Sequence, residues 1–197
     1  MSAAYEIVPL KSLIKTRKDK ELLVIQLRGF SCSRDSQLEK YIHEQAIPYE
    51  IKGLSRTYLV YDVSKAAFVA APSIAAFFTL AITATDYSEI SKGKREKVLG
   101  SKPGRNTFDA FGGILIGQLA RDDRYGADFI DGEALLQECE AYIEMGRQYI
   151  GGRIVYLDCK EALVKTYQKS HYKLLTNDPS PEGYYKMYKV LPEMVVA

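Results

Sequence analysis

The sequence predicts an α/β fold, a mixed sheet with helices on both faces. Three observations carry this. Runs rich in Tyr, Val and Ile recur with the length and alternation of strands. One long amphipathic segment near residue 140 has helical spacing. Strand-like and helix-like segments alternate in the second half, after an N-terminal part richer in strands. The chain has 197 residues, 47% hydrophobic and 26% charged. That length suits a single domain spanning residues 1–197, with a sizeable core.

The elements follow in order. "ELLVIQLRGF" (21–30) reads as a first strand. In "SRDSQLEKYIHEQAIPYEI", Leu38, Tyr41, Ile42 and Gln45/Ala46 fall at helical spacing, and Pro48 is expected to stop that helix. "RTYLVYDV" (56–63) alternates as a strand does. "SIAAFFTLAIT" (73–83) reads as a strand buried on both faces. "KGKREKVLGSKPGRN" (92–106) is basic and rich in Gly and Pro, hence a loop. "GILIGQLAR" (113–121) is another buried strand. A helix from about Asp131 to Tyr149 places Leu135, Leu136, Cys139, Tyr142, Ile143 and Tyr149 on one face, with Asp131 as N-cap. "RIVYLD" (153–158), "KEALVKTYQKS" (160–170) and "YYKMYKVL" (184–191) read as strand, helix and strand.

Composition excludes several classes. A net charge of +2 does not argue for nucleic acid by itself. Cys32, Cys139 and Cys159 are widely spaced, as in a reduced, cytoplasmic protein. With His43 and His171 the only histidines, no metal site is expected. "MSAAYEIVPLKSLIKTRKDKELL" lacks the uninterrupted apolar run of a signal peptide. "AAFVAAPSIAAFFTLAITAT" is long enough to cross a membrane, but its proline and small residues favour a buried strand, so no membrane partner is expected. "LKSLIKTRKDK" reads as a solvated face.

Three segments together resemble the GCN5-related N-acetyltransferase (GNAT) superfamily, in the branch of toxin–antitoxin acetyltransferases. They are "ILIGQLARDDRYGADFIDGEALL", "GGRIVYLDCKEALVKTYQKSHY" and the early "FSCSRDSQLEKYIHEQA", "SRTYLVYD" and "AAFFTLAIT". They cover most of residues 21–191, and their order makes the likeness specific. The resemblance implies a mostly antiparallel sheet of six to seven strands, helices on both faces, and a splay between the fourth and fifth strands. It further implies a cytoplasmic N-acetyltransferase that uses acetyl-CoA as co-substrate and no metal. Homodimers are common in such folds.

By that resemblance, Leu119, Ala120 and Arg121 match the strand end that holds the pantetheine arm and polarises the thioester carbonyl through a backbone N–H. Arg124, Tyr125, Gly126, Ala127, Asp128, Phe129, Ile130, Asp131 and Gly132 match the pyrophosphate loop and helix start. Tyr167 matches the tyrosine that protonates the leaving thiolate.

The chain also departs from the family pattern. The loop has one extra residue and lacks the Gly-x-Gly core that lets a backbone approach phosphates. Asp128, Asp131 and Glu133 put negative charge there, with Arg121 and Arg124 to offset it. If Asp131 caps the helix, its carboxylate competes for N–H groups that the ligand needs. In "TYQKSHY" the family's Gly is His171 and its Phe is Tyr172, while its pantetheine-binding Asn is Lys160.

No carboxylate lies in "GGILIGQL" to act as base. An α-amine, with a pKa of about 7.7–8.0, is therefore favoured as acceptor over a lysine near 10.4. Lys92, Lys94, Arg95, Lys97, Lys102 and Arg105 would meet phosphates if the acceptor were RNA, and otherwise form a solvated loop. Two alternatives stand beside the acetyltransferase: a toxin-type enzyme acting on aminoacyl-tRNA, and a non-catalytic GNAT-fold binding module.

Overall fold

The computed structural model describes residues 5–64, 73–88, 90–100 and 108–193. In chain order the elements are β1 (Tyr5–Pro9), α1 (Leu10–Leu13), α2 (Arg17–Arg28), α3 (Ser36–Lys40), a π-helical turn (Tyr41–Gln45), α4 (Ala46–Lys52), β2 (Arg56–Asp62) and β3 (Ser73–Asp86). Then come α5 (Lys92–Leu99), β4 (Ala110–Arg121), α6 (Gly132–Ile150), β5 (Ile154–Lys160), α7 (Glu161–Lys169), β6 (Lys173–Leu174) and β7 (Tyr184–Val190). The strand order is β1-β2-β3-β4-β5-β7-β6. β4 and β5 run parallel, pairing over Ile114–Ile116 with Val155–Leu157. β1–β2, β2–β3, β5–β7 and β6–β7 are antiparallel. This is the mixed α/β sheet that the sequence pattern predicts, mostly antiparallel as the GNAT resemblance implies.

The chain divides into two compact units. The first comprises Met1–Ala81 and Gly117–Ile143. Its β3 is buried on both faces because successive side chains point opposite ways. Phe77 meets Phe30 edge-on at 5.2 Å and stacks on Tyr41 at 6.2 Å. Phe78 stacks on Tyr58 at 4.9 Å and meets Tyr142 of α6 at 5.7 Å. Leu10, Leu27, Ile42, Leu59 and Ile74 complete the Phe77 side.

The second unit comprises Ile82–Ile116 and Glu144–Ala197. Its core gathers Tyr87, Val98, Phe111, Ile154, Tyr156 and Leu175. The Tyr87 and Tyr156 hydroxyls lie 2.9 Å apart, both rings fully buried.

Four expectations are corrected. Residues 21–30 are not a strand; residues up to Arg28 belong to α2. The run "ELLVIQLR" suits either element by apolar content. What decides is a capping box at Thr16, whose hydroxyl accepts from the Asp19 N–H at 3.1 Å while Asp19 accepts from the Thr16 N–H at 2.9 Å. Leu23 and Leu27, one turn apart, are then buried. The first strand is instead Tyr5–Pro9.

Pro48 does not end its helix. The π-helical turn precedes it, with the Ala46 N–H reaching back to the Tyr41 carbonyl. That looser turn absorbs the disruption of a proline lacking an N–H, and the helix continues to Lys52.

Residues 92–99 are a helix rather than loop, and Arg95 is buried inside it. Its guanidinium donates to the carbonyls of Ile90 at 3.0 Å and Tyr87 at 2.5 Å, so it organises its own unit instead of facing a ligand. Lys102 and Arg105 lie outside the described residues, as do residues 66–72 of the apolar segment.

Tyr149 is 86% exposed rather than on the buried face of α6. Arg147 is buried in the last turns of that helix and donates to the carbonyls of Gly152 at 2.7 Å and Pro192 at 2.8 Å. Along "LKSLIKTRKDK", Leu10 is fully buried while Lys11, Lys15, Arg17, Lys18 and Lys20 are exposed.

Among the described residues no helix is long and apolar enough to cross a membrane, and no cluster of metal-ligating side chains occurs. All three cysteines are buried free thiols.

Two glycines give opposite expectations. A Cβ at Gly113 would fall 2.7 Å from the Ile154 carbonyl and clash with the edge of the Tyr156 ring. Neither can yield, so Gly113→Ala should cost about 2–3 kcal/mol in denaturant unfolding. A Cβ at Gly146 of α6 meets nothing within 4 Å, and Gly146→Ala should gain about 0.5–1 kcal/mol. Equal effects would contradict the packing.

Candidate active site

In the first unit, the strand end and loop matched to the coenzyme site are built around one side chain. Asp122 follows β4 directly and is fully buried. Its N–H donates to the Ala75 carbonyl of β3 at 2.9 Å. Its carboxylate accepts from the Ser31 N–H at 2.9 Å and the Arg124 N–H at 2.9 Å. The Arg124 guanidinium grips both its oxygens, through Nε at 2.7 Å and Nη2 at 2.9 Å. The contact with Asp122 raises the Arg124 pKa further, so it is held charged. Its side chain nonetheless remains about half exposed.

Asp123 anchors the neighbouring segment. It accepts from the Ser33 N–H at 2.6 Å, and its own N–H donates to the Ser31 carbonyl at 2.9 Å. The Ser33 hydrogen bonds hold its carboxyl below the usual carboxylate range.

The N–H groups of Gln118 and Asp122 both point toward β3, onto Thr79 Oγ1 at 2.8 Å and the Ala75 carbonyl. By strand alternation, the N–H groups of Leu119 and Arg121 point the other way. Ala120 is buried in the core. The Arg121 carbonyl accepts from Arg34 Nη2 at 2.6 Å. Arg121 donates from Nη1 to the Ile130 carbonyl at 2.7 Å, and its Nε is buried with no partner among the described residues.

The loop closes locally. Tyr125 donates from its N–H to the Asp122 carbonyl and from its hydroxyl to Asp62 at 3.3 Å. Its ring lies 4.7 Å from that of Phe129, and the Phe129 N–H donates to the Gly126 carbonyl at 3.2 Å. Asp128 folds back over Gly126, which has no side chain to obstruct it. Ala127 and Asp128 are exposed, and Ile130 is buried.

Asp131 is the N-cap expected of it. Its Oδ1 accepts from the Ala134 N–H at 2.7 Å, and its carbonyl accepts from the Leu135 N–H. The cap occupies one N–H of the first turn. Those of Gly132 and Glu133, which have no acceptor within a helix, remain as potential phosphate donors.

In the second unit, Tyr167 lies three residues before the cap of α7 and is half-buried. The helix ends in a Schellman turn. The Tyr172 N–H donates to the Tyr167 carbonyl at 3.1 Å, and the His171 N–H to the Gln168 carbonyl at 3.0 Å. The rings of Tyr167 and buried Tyr172 meet edge-on at 6.0 Å. His171 has φ of 69°, the only positive φ at a non-glycine among the described residues. It therefore occupies the left-handed position where glycine is at ease, as its place in "TYQKSHY" suggests. Lys160 caps α7 with extended backbone and no side-chain cap bond.

Sequence reasoning missed Asp122, Ser31 and Arg34. The visible signal was the charged run "RDDRY" directly after a buried strand. Which of its charges turned inward was not visible.

No model of a known protein family matches the sequence, and no curated protein matches it. Solved structures do. The chain is similar to a bacterial toxin with TM-score 0.71 and 14% identity, over 95% of this chain and 91% of the other. It is similar to AtaT complexed with acetyl-methionyl-tRNAfMet, with TM-score 0.65 and 13% identity over 95% of both chains. A third is a tyrosine-to-phenylalanine mutant of the AtaT toxin bound to the C-terminus of the antitoxin AtaR and acetyl-CoA, with TM-score 0.62 and 12% identity over 94% and 92%. The fold is thus the GNAT fold of such toxins.

The left-handed His171 gives a direct test. His171→Gly should raise stability by about 1 kcal/mol, by relieving the steric cost of a Cβ at positive φ. A fall in melting temperature would mean that the imidazole makes a compensating interaction.

Proposed function

We propose that the chain is an acetyl-CoA-dependent N-acetyltransferase that passes the acetyl group directly to an amine, with Tyr167 as general acid. The observation that supports this most is the turn at the end of α7, which fixes the Tyr167 backbone through two hydrogen bonds and its ring against Tyr172. A fold shared over 94% of this chain accepts acetyl-CoA in AtaT.

The residues of the first unit fit the coenzyme's chemistry. The N–H groups of Leu119 and Arg121 are directed away from β3 and would take the pantetheine amides. An N–H there would polarise the thioester carbonyl. Arg121, Arg124 and the first N–H groups of α6 would face the pyrophosphate. The amine nitrogen attacks the thioester carbon, the C–S bond breaks, and the departing thiolate takes the Tyr167 hydroxyl proton. The amine's own proton passes to water. No covalent enzyme intermediate is required, and buried Cys159 is a poor nucleophile because burial pushes its thiol up to about 11.

A second reading makes the acceptor an aminoacyl-tRNA, which the complex of AtaT with acetyl-methionyl-tRNAfMet favours. A non-catalytic binding module is favoured by the Asp131 cap and by the engagement of Arg124 with Asp122.

Calorimetric titration with acetyl-CoA, followed by acceptor screening with α-amines, separates these readings. Tyr167→Phe should keep coenzyme affinity and lose turnover about 100-fold, at the low end for proton transfer because a thiolate leaves readily. Unchanged turnover would remove Tyr167 from the mechanism, and no binding by folded protein would favour the module. Asp131→Asn keeps a cap but removes its charge, and should tighten coenzyme binding about two- to fivefold. Unchanged or weaker affinity would place the pyrophosphate elsewhere.

A further inference from the structure

The second unit holds a cleft of about 1200 Å³, apart from the residues that would hold the coenzyme and bounded by α5, the turn after α7, and strands β6 and β7. Four of its lining residues are lysines: Lys94 and Lys97 from α5, Lys173 from β6 and Lys189 from β7. The other titratable groups that line it are His171, Tyr172 and Tyr188, and no aspartate or glutamate is among them. The four lysines differ in their surroundings. Lys97 and Lys173 are exposed to water. Lys189 is half-buried, but its Nζ stands 5.4 Å over the ring of Tyr172, a contact that favours the charged ammonium. Lys94 is half-buried as well, and its ammonium has no hydrogen bond, carboxylate or ring partner among the described residues.

An ammonium so placed is disfavoured twice. Burial pushes Lys94 down from its usual range, and the like charges that share its cleft act in the same direction. A lysine desolvated beside other cations is a better nucleophile near neutral pH, because more of it carries a free lone pair. We infer that Lys94 is a site of covalent acetylation on this protein itself, with the thioester acetyl-CoA as the acyl donor. The neutral Nζ attacks the thioester carbon, the N–C bond forms and the C–S bond breaks. CoA leaves as the thiolate, and the proton lost by nitrogen passes to water. The donor's phosphates are drawn by Lys97, Lys173 and Lys189, which brings the thioester toward Lys94. The product amide is neutral, so the transfer takes one positive charge out of a group that repels itself. The inference shares only the donor with the acetyltransferase reading; it uses neither the loop after β4 nor the Tyr167 hydroxyl.

The test is peptide mapping by mass spectrometry of the folded full chain after timed exposure to acetyl-CoA. Lys18 and Lys20 on α2, both exposed, are the internal comparators. Lys94 should be acetylated severalfold faster than either. In denaturant the cleft is gone, and the three rates should converge. Lys94→Arg, verified folded by circular dichroism, keeps the charge and should lose that share of acetyl incorporation without another lysine taking it up. Tyr167→Phe should leave the lead of Lys94 intact, so failure of the acetyltransferase reading and failure of this one are told apart. Lys94 reacting no faster than Lys18 and Lys20 in the folded chain overturns the inference. A lead that persists in denaturant, or one that vanishes in folded Tyr167→Phe, overturns it as well.

Discussion

The first unit's site depends on one buried carboxylate. Asp122 has no exposed surface, and its charge is tolerable only because four N–H donors surround it at 2.7–2.9 Å. Removing a charge from water costs several kcal/mol, which paired and fully hydrogen-bonded geometry offsets. The donors come from separate stretches of chain, Ser31 before α3 and Arg124 in the loop after β4. Satisfying Asp122 therefore fixes where β4 ends, draws the Ser31–Arg34 segment against it, and orients the guanidinium of Arg124. Leaving any donor out would strand a buried charge, so the arrangement holds as a unit rather than as separate contacts.

That dependence changes what Arg124 can do. A free arginine at the tip of a loop would wrap a phosphate with its whole fork. Here Nε and Nη2 are committed to Asp122, so the residue presents charge from a fixed position. This costs reach and gains preorganisation, since the side chain has little rotamer freedom left to lose on binding. For the proposed coenzyme, that preorganisation would offset part of what a Gly-x-Gly core supplies. Gly126 is still needed, but for Asp128 to fold over it rather than for a phosphate to approach.

Much of the fold was legible because it rests on local pattern. β2, β3, β4, β5 and β7 follow apolar runs of strand length, and α6 and α7 follow helical spacing with the expected cap at Asp131. The failures have physical causes. Residues 21–28 carry no periodicity that separates strand from helix, and the Thr16–Asp19 capping box upstream of them decides the matter. The effect of Pro48 was overridden by a π-turn, which periodicity does not encode. Arg95 looked like one more solvent charge in a basic loop, yet backbone carbonyls from Tyr87 to Phe108 converge on it. Buried arginines satisfied by carbonyls leave no sequence signature, because their partners are main chain. For the candidate site, the turn at His171 could be read from its place in "TYQKSHY" and is seen as φ of 69°. The Asp122 network could not, since four neighbouring charges in "RDDRY" give no hint of which one is desolvated.

The helix start of α6 sets two demands against each other. Folding favours a carboxylate at the N-cap, where it satisfies an N–H and meets the positive end of the helix dipole. Anion binding at the same place favours leaving that N–H free and keeping negative charge away. Asp131 resolves the conflict toward stability, since its side chain takes the Ala134 N–H at 2.7 Å. Two features counter it. Arg121 and Arg124 bring positive charge along the same loop, and only one N–H of the first turn is consumed. A pyrophosphate there would meet a field weakened by Asp128, Asp131 and Glu133, with the Arg124 charge already paired to Asp122. Affinity for the coenzyme would then depend more on the backbone N–H groups of Leu119 and Arg121 than in a loop with the full glycine pattern, because the pantetheine amides carry no net charge for Asp131 to repel. The balance of binding would shift from the phosphates toward the pantetheine arm, the part of the coenzyme that carries the reacting thioester.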